Sequence, residues 1–182
     1  MQTTNPTSSK HARQMRVFAT FTALSLAVAG CGGDGPLAPG VGSGNLTASG
    51  AVTASGSGLA VFQSISSGGT SLFQIVLAPL TQSTTIWQLQ IANYSGRLAV
   101  GAYTLAPLSA SSTNPTANFY YTSGGNMQAF NSTTGQLVIT STSPTSVRGT
   151  FSFTATDPSG GPGTVTAHGS FSAQCAPGVA CQ

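Results

Sequence analysis

An all-β fold, a single antiparallel β-sandwich or flattened β-barrel of about eight to ten strands, is predicted by three features of this 182-residue chain. From Asn45 onward, apolar residues recur with period two. Gly, Pro, Ser and Asn clusters separate the alternating segments at roughly 8–12-residue spacing. No stretch after the amino-terminal region carries the 3.6-residue period of a helix, so crossover helices and a parallel sheet are not expected. Sandwich and barrel remain equal alternatives at this level.

In chain order, the first half predicts strands at Leu46–Ser55, Gly58–Ser64, Ser71–Ala78, Thr84–Ala92 and Leu98–Leu105. The second half predicts Ala117–Thr122, Asn126–Phe130, Gly135–Thr142, Thr145–Thr156 and Gly163–Ala173. In TTIWQLQIANY, Trp87, Leu89 and Ile91 share one face while Gln88 and Gln90 take the other. In SVRGTFSFTAT, Val147, Gly149, Phe151, Phe153 and Ala155 alternate with hydroxylated residues and Arg148. GTVTAHGSFSA repeats the pattern with Val165, Ala167, Gly169, Phe171 and Ala173 inward, and DPSGGP joins the two segments as one long hairpin. Ser109–Thr116 reads as a polar surface loop.

Ahead of this domain, Val17–Ala29 is an almost uncharged apolar run preceded by Lys10, Arg13 and Arg16, the outline of a signal peptide. It falls short of the roughly 20 apolar residues a membrane-spanning helix needs. Met15-Arg16 opens a compact signal by itself, so the true start could be Met15. The stretch LAVAGC, Leu26–Cys31, resembles the lipobox of bacterial lipoproteins. That resemblance implies cleavage before Cys31, a diacylglyceryl group on its thiol and acylation of the new amino terminus. The alternative is an ordinary cleaved signal peptide with an incidental cysteine. Two or three acyl chains would hold the protein firmly where one would not. Gly32 follows the cysteine in place of the aspartate that resembles an inner-membrane retention signal, so outer-membrane delivery is expected in a double-membraned host. The expected organisation is a signal peptide (1–30), a lipidated cysteine with a Gly/Pro-rich tether (31–44), a β-domain (45–174) and a tail (175–182).

Processing at Cys31 would transform the electrostatics. The formal charge of +3 comes from Lys10, Arg13 and Arg16, and the remaining chain keeps only Asp34, Arg97, Arg148 and Asp157 as charged side chains. Binding nucleic acid takes several cations to neutralise phosphates, so that class is excluded. Solubility falls to Ser, Thr, Asn and Gln, and a near-zero net charge favours self-association.

From Gly101 to Ala173 the order GAYTL, NFYYTSGG, GQLVITSTSPTSVRGTFSFTAT and GTVTAHGSF resembles an uncharacterised exported lipoprotein domain of bacteria. GTFSFTA, Gly149–Ala155, is its most specific part. The resemblance implies an exported β-domain of unknown role and carries no catalytic residues.

Little chemistry is on offer. His168 and Asp157 are the only acid–base pair the domain could assemble, and alternation points His168 to solvent while Asp157 sits in a turn. A hydrolase is therefore the weakest reading, and neither a metal centre nor a cofactor is expected. Cys175 and Cys181 bracket APGVA and are expected to form a disulfide after export. Tyr94, Tyr103, Tyr120 and Tyr121 are the candidate ligand-binding residues, because exposed tyrosines stack on sugars or anchor protein partners. The expected role is a non-enzymatic envelope protein, with a membrane contact through lipid on Cys31 and a protein or glycan partner. The alternative is a module for a hydrophobic small molecule or a glycan.

Overall fold

The computed structural model describes residues 41–80, 85–107, 113–161, 163–179 and 181; Cys31 and the chain before Val41 lie outside them. Nine strands are formed: β1 (Gly42–Gly50), β2 (Ala54–Ser67), β3 (Thr70–Pro79), β4 (Thr85–Asn93), β5 (Gly101–Thr104), β6 (Thr116–Ser123), β7 (Asn126–Ser143), β8 (Ser146–Thr156) and β9 (Thr164–Cys175). Their order is β5-β7-β6-β4-β3-β2-β1-β9-β8, and pairing of β7 with β8 joins the ends. Eight strands thereby close into an antiparallel barrel, with β5 as the extra strand. Closure removes the exposed sheet edges that a sandwich would have to protect.

Period-two alternation survives closure. Phe73, Ile75 and Leu77 of β3, Leu89 and Ile91 of β4, and Leu137 and Ile139 of β7 point inward and are all but inaccessible. The inward rows predicted for β8 and β9 are the observed ones, and the two strands form one hairpin from Ser146↔Gln174 to Thr156↔Thr164. Phe62, Phe73, Phe119 and Phe153 fill the interior together with the aliphatic residues. An eight-stranded barrel is just wide enough for side chains to occupy completely.

Two inward glycines make that filling work. Phe151 lies opposite Gly169 and Phe171 opposite Gly149 in the β8–β9 register. A Cβ on Gly169 would stand 2.7 Å from Phe151 Cζ and collide with the Asn45 carbonyl oxygen of β1. One on Gly149 would stand 2.8 Å from Phe171 Cζ and collide with the Val138 carbonyl of β7. Each glycine thus gives up its side chain to the ring across from it, and lets the neighbouring strand approach.

Outside, neutral cross-strand pairs replace ion pairs. Gln63 Nε2 donates to Gln74 Oε1 at 2.6 Å, Asn45 Nδ2 to Ser170 Oγ at 2.8 Å, and the Ser66 and Ser71 hydroxyls meet at 3.1 Å.

Several boundaries differ from expectation. The first strand starts at Gly42, so Gly42–Gly44 pair with Ala60–Gly58 and belong to the barrel, not to the tether. Asn126–Phe130 and Gly135–Thr142 are one strand, β7, because bulges between Ser132 and Thr134 and between Ile139 and Ser141 carry the ladder through a break in alternation. β5 is shorter than Leu98–Leu105. It lies on the same edge of β7 as β6, β5 facing Gln136–Ile139 and β6 facing Asn126–Asn131. Between them the chain leaves and returns, closed by Ala106 N–H donating to the Pro115 carbonyl at 3.0 Å. The buried Ser132 hydroxyl stitches both sides of the gap, donating to the Ala106 carbonyl at 2.8 Å and accepting from the Ala117 N–H at 3.0 Å.

Candidate functional site

The four candidate tyrosines do not converge. Tyr121 follows the inward face of β6 and Tyr103 packs against the same core, its hydroxyl donating to the Ala99 carbonyl at 2.9 Å. Tyr120, next to Tyr121, takes the opposite face as strand geometry requires. It is half-buried and shares its surroundings with Tyr94. Burial pushes the Tyr94 hydroxyl above its ordinary pKa, and the neighbouring Tyr120 adds to the shift; burial raises Tyr120 as well. A Tyr94/Tyr120 pair on the outer wall is what the fold assembles from the four.

Near this pair lie buried polar atoms without partners. Thr116 Oγ1, Asn118 Oδ1 and Asn93 Oδ1 have no hydrogen bond, although Asn93 Nδ2 reaches the Gly96 carbonyl at 2.6 Å. Thr116 and Asn118 sit opposite Ala92 and Gln90 of β4. An orphaned buried hydroxyl carries its desolvation cost uncompensated, so Thr116→Val, close in shape, is expected to raise stability by about 1 kcal/mol. Urea unfolding of the variant would read the shift, and a fall in the midpoint would show that the hydroxyl is satisfied in solution.

His168 is exposed on β9, in register with Ser152 and Thr47. Asp157, just past the end of β8, lies five positions from Ser152, roughly 16 Å at strand rise, so this pair does not meet. The Asp157 carboxylate instead accepts from the Ser159 N–H at 2.7 Å and the Ser159 hydroxyl at 2.6 Å. These bonds hold its pKa below the ordinary value and make it a turn former.

At one end of the barrel, where β7 turns into β8 and β9 finishes, the carboxyl-terminal residues are part of the wall and not an appended tail. Val61 and Phe62 of β2 pair in parallel with Gln174 and Cys175, the Ala176 N–H donates to the Phe62 carbonyl at 2.8 Å, and Cys181 bridges to Ser64. Cys175 and Cys181 are at disulfide distance, with Cα atoms 5.9 Å apart. Arg97, from the β4–β5 connection, closes this end. Its guanidinium lies 5.0 Å from the Phe62 ring centroid. It also donates to Thr142 Oγ1 at 3.1 Å and 3.3 Å, to the Cys181 carbonyl at 3.3 Å, and to the Ser143 carbonyl. Burial lowers the Arg97 pKa, yet a guanidinium starts so high that it stays cationic at neutral pH.

The opposite end holds a cleft of about 310 Å³ between the start of β2, the end of β3 and the start of β4. Thr53–Ser57, Pro79 and Thr85 line it and Trp87 forms the floor at 4% exposure; Ala54 and Gly56 share the Trp87 face, whereas Ser55 and Ser57, opposite the exposed Thr47 and Asn45, turn to the outer wall. Sequence reasoning placed Trp87 on the core face, which is correct, but missed that its edge meets a concavity. No local signal marks it, because TASGS, Thr53–Ser57, reads as ordinary strand composition. Among the described residues no group of three or more His, Cys, Asp or Glu side chains is placed to hold a metal ion. No known family, no curated protein and no solved structure matches this chain.

Proposed function

We propose that this chain is a lipid-anchored protein of the cell envelope, displaying a non-enzymatic β-barrel for interaction or envelope structure and held at the outer membrane where the host has one. The observation that carries the reading is LAVAGC, Leu26–Cys31, behind a short apolar run and a basic patch. The barrel supports it through the direction of its alternation. Apolar residues point inward, while Gln63, Gln74, Asn45 and Ser170 line the outside, the inverse of a barrel that spans a bilayer with an apolar outer band. Attachment then falls to the amino-terminal segment, and acyl chains on Cys31 supply about 0.8 kcal/mol per buried methylene.

Metabolic labelling with a palmitate analogue, followed by mass spectrometry of the amino-terminal peptide, tests this. The expected result is a peptide beginning at Cys31 that carries a diacylglyceryl group, with Cys31→Ser unlabelled and released from the membrane fraction. An unmodified Cys31, or a Cys31→Ser protein that stays membrane-bound, overturns the proposal.

A further inference from the structure

We infer that the overhanging β6–β7 hairpin is a self-association site, where the open edge of β7 pairs with the same edge of a second copy of this chain. The overhang comes from unequal strand lengths. β7 has 18 residues and β8 has 11, and their ladder stops at Asn131↔Thr156. Past Thr156, the Asp157 carboxylate holds Ser159 in a turn and Pro158 has no N–H to offer, so β8 does not continue along β7. Among the described residues, Asn126–Phe130 therefore pair with β6 alone.

The phase of the ladder fixes which backbone groups stay open. Ser123 and Asn126 flank the two-residue turn Gly124-Gly125, whose φ values of 56° and 81° fit a type I′ hairpin, so this pair is hydrogen-bonded. Antiparallel pairs alternate, which makes Thr122↔Met127 and Tyr120↔Ala129 the non-bonded pairs. The N–H and C=O groups of Met127 and Ala129 thus point away from β6, to the side that β8 occupies only from Asn131 onward. Two donors and two acceptors aligned on one edge are a template that an extended strand completes.

The side chains beside this edge select a second copy as that strand. On the outer wall the row Ile86, Thr122, Met127 ends in a methionine that is 71% exposed. No charged side chain lies in Asn126–Phe130 or in Asn118–Ser123 beside it, so neither an edge lysine nor like-charge repulsion holds two copies apart. The edge is also self-complementary. A two-fold axis through Gln128 places Met127 opposite Ala129 of the second copy and Ala129 opposite its Met127, which matches a large side chain to a small one twice and closes four backbone hydrogen bonds. In that register the turn brought alongside Thr156 is Gly124-Gly125, which carries no side chain. So short an interface makes a weak, reversible dimer, and it is independent of any lipid on Cys31.

Gln128, on the axis, supplies the test. Non-bonded residues opposite each other in an antiparallel pair have Cα atoms about 4.5 Å apart, within disulfide reach. The experiment places Gln128→Cys in the whole chain carrying Cys31→Ser, leaving one free thiol beside the Cys175–Cys181 pair, and oxidises it with copper–phenanthroline at up to about 1 mM protein. Thr166→Cys, exposed on β9, is the control. The expected result is a covalent dimer on a non-reducing gel that forms about tenfold faster with Gln128→Cys than with the control. Adding Met127→Lys should return Gln128→Cys to the control rate, and Met127 is exposed enough for the fold to be kept. In the parent chain, amide exchange at Met127 and Ala129 should be fast in dilute solution and slow at high concentration, while Gln128, bonded to Tyr121, is slow at both. Equal rates for Gln128→Cys and Thr166→Cys overturn the inference, and so does a fast rate that Met127→Lys leaves intact.

Discussion

Gly169→Ala is expected to cost about 3 kcal/mol of stability although it adds a single methyl group. The new Cβ would meet two obstacles that cannot yield together. One is the Asn45 carbonyl oxygen on β1, which is fixed by the ladder from Ser43↔Ser172 to Gly50↔Val165. The other is the tip of the Phe151 ring, 2.7 Å away and packed inside the barrel. Moving β1 outward would strain a closed sheet at every neighbour, whereas an open sheet could splay. Gly149→Ala should behave alike through Val138 and Phe171. Thr166→Ala, exposed on the same strand as Gly169, is the control and should change stability by less than about 0.5 kcal/mol. Combining Phe151→Leu with Gly169→Ala separates the two obstacles: the backbone collision predicts little rescue. Urea midpoints for the set would settle it, and a Gly169→Ala protein as stable as the parent would show that β1 does not press on β9 as described.

Arg97→Met should lower stability by about 2–3 kcal/mol, the loss of charge-assisted hydrogen bonds together with a cation–π contact. Methionine retains much of the apolar stem and removes only the planar head. The side chain joins three parts of the fold: the end of β7 at Thr142 and Ser143, the Cys181 carbonyl, and the Phe62 ring of β2. Arg97→Lys should recover little, because a point charge with one nitrogen cannot reach three acceptors while resting on a ring. Breaking the disulfide with Cys175→Ser and Cys181→Ser should cost about 2 kcal/mol in the chain-entropy view of so short a loop. Since Arg97 and the bridge hold the same segment, the triple variant should lose less than the sum. Thermal unfolding of the four proteins measures the coupling. Strict additivity, or full recovery with lysine, would mean that Arg97 acts only as a surface charge.

Much of the barrel was legible because strand parity is a local property. Val147 to Ala155 and Val165 to Ala173 alternate without interruption, and DPSGGP can only turn, so the hairpin and its inward face follow from neighbouring residues alone. β7 was harder: its bulges near Ser132 and Ile139 break the period, and a break in period looks the same as the end of a strand. Tyr94 and Tyr120 were singled out for their chemistry, but their association on the outer wall depends on how the β4–β5 connection folds back. Trp87 was placed correctly on the inward face. That its edge borders a cleft requires Thr53–Ser57 and Pro79 to arrive from two other strands.

By itself, then, the sequence determined the all-β class, the inward rows of most strands and the neutral hydroxyl-rich exterior, all readable within a dozen residues or so of chain. The tertiary structure decided closure into a barrel, the sharing of one β7 edge by β5 and β6, the incorporation of the carboxyl-terminal residues beside β2, the capping by Arg97 and the cleft at the other end. Those features rest on partners far apart in the chain, Asn45 with Ser170 or Arg97 with Cys181. Such pairings are chosen by whether every strand can bury its apolar face at once, a condition no local window contains.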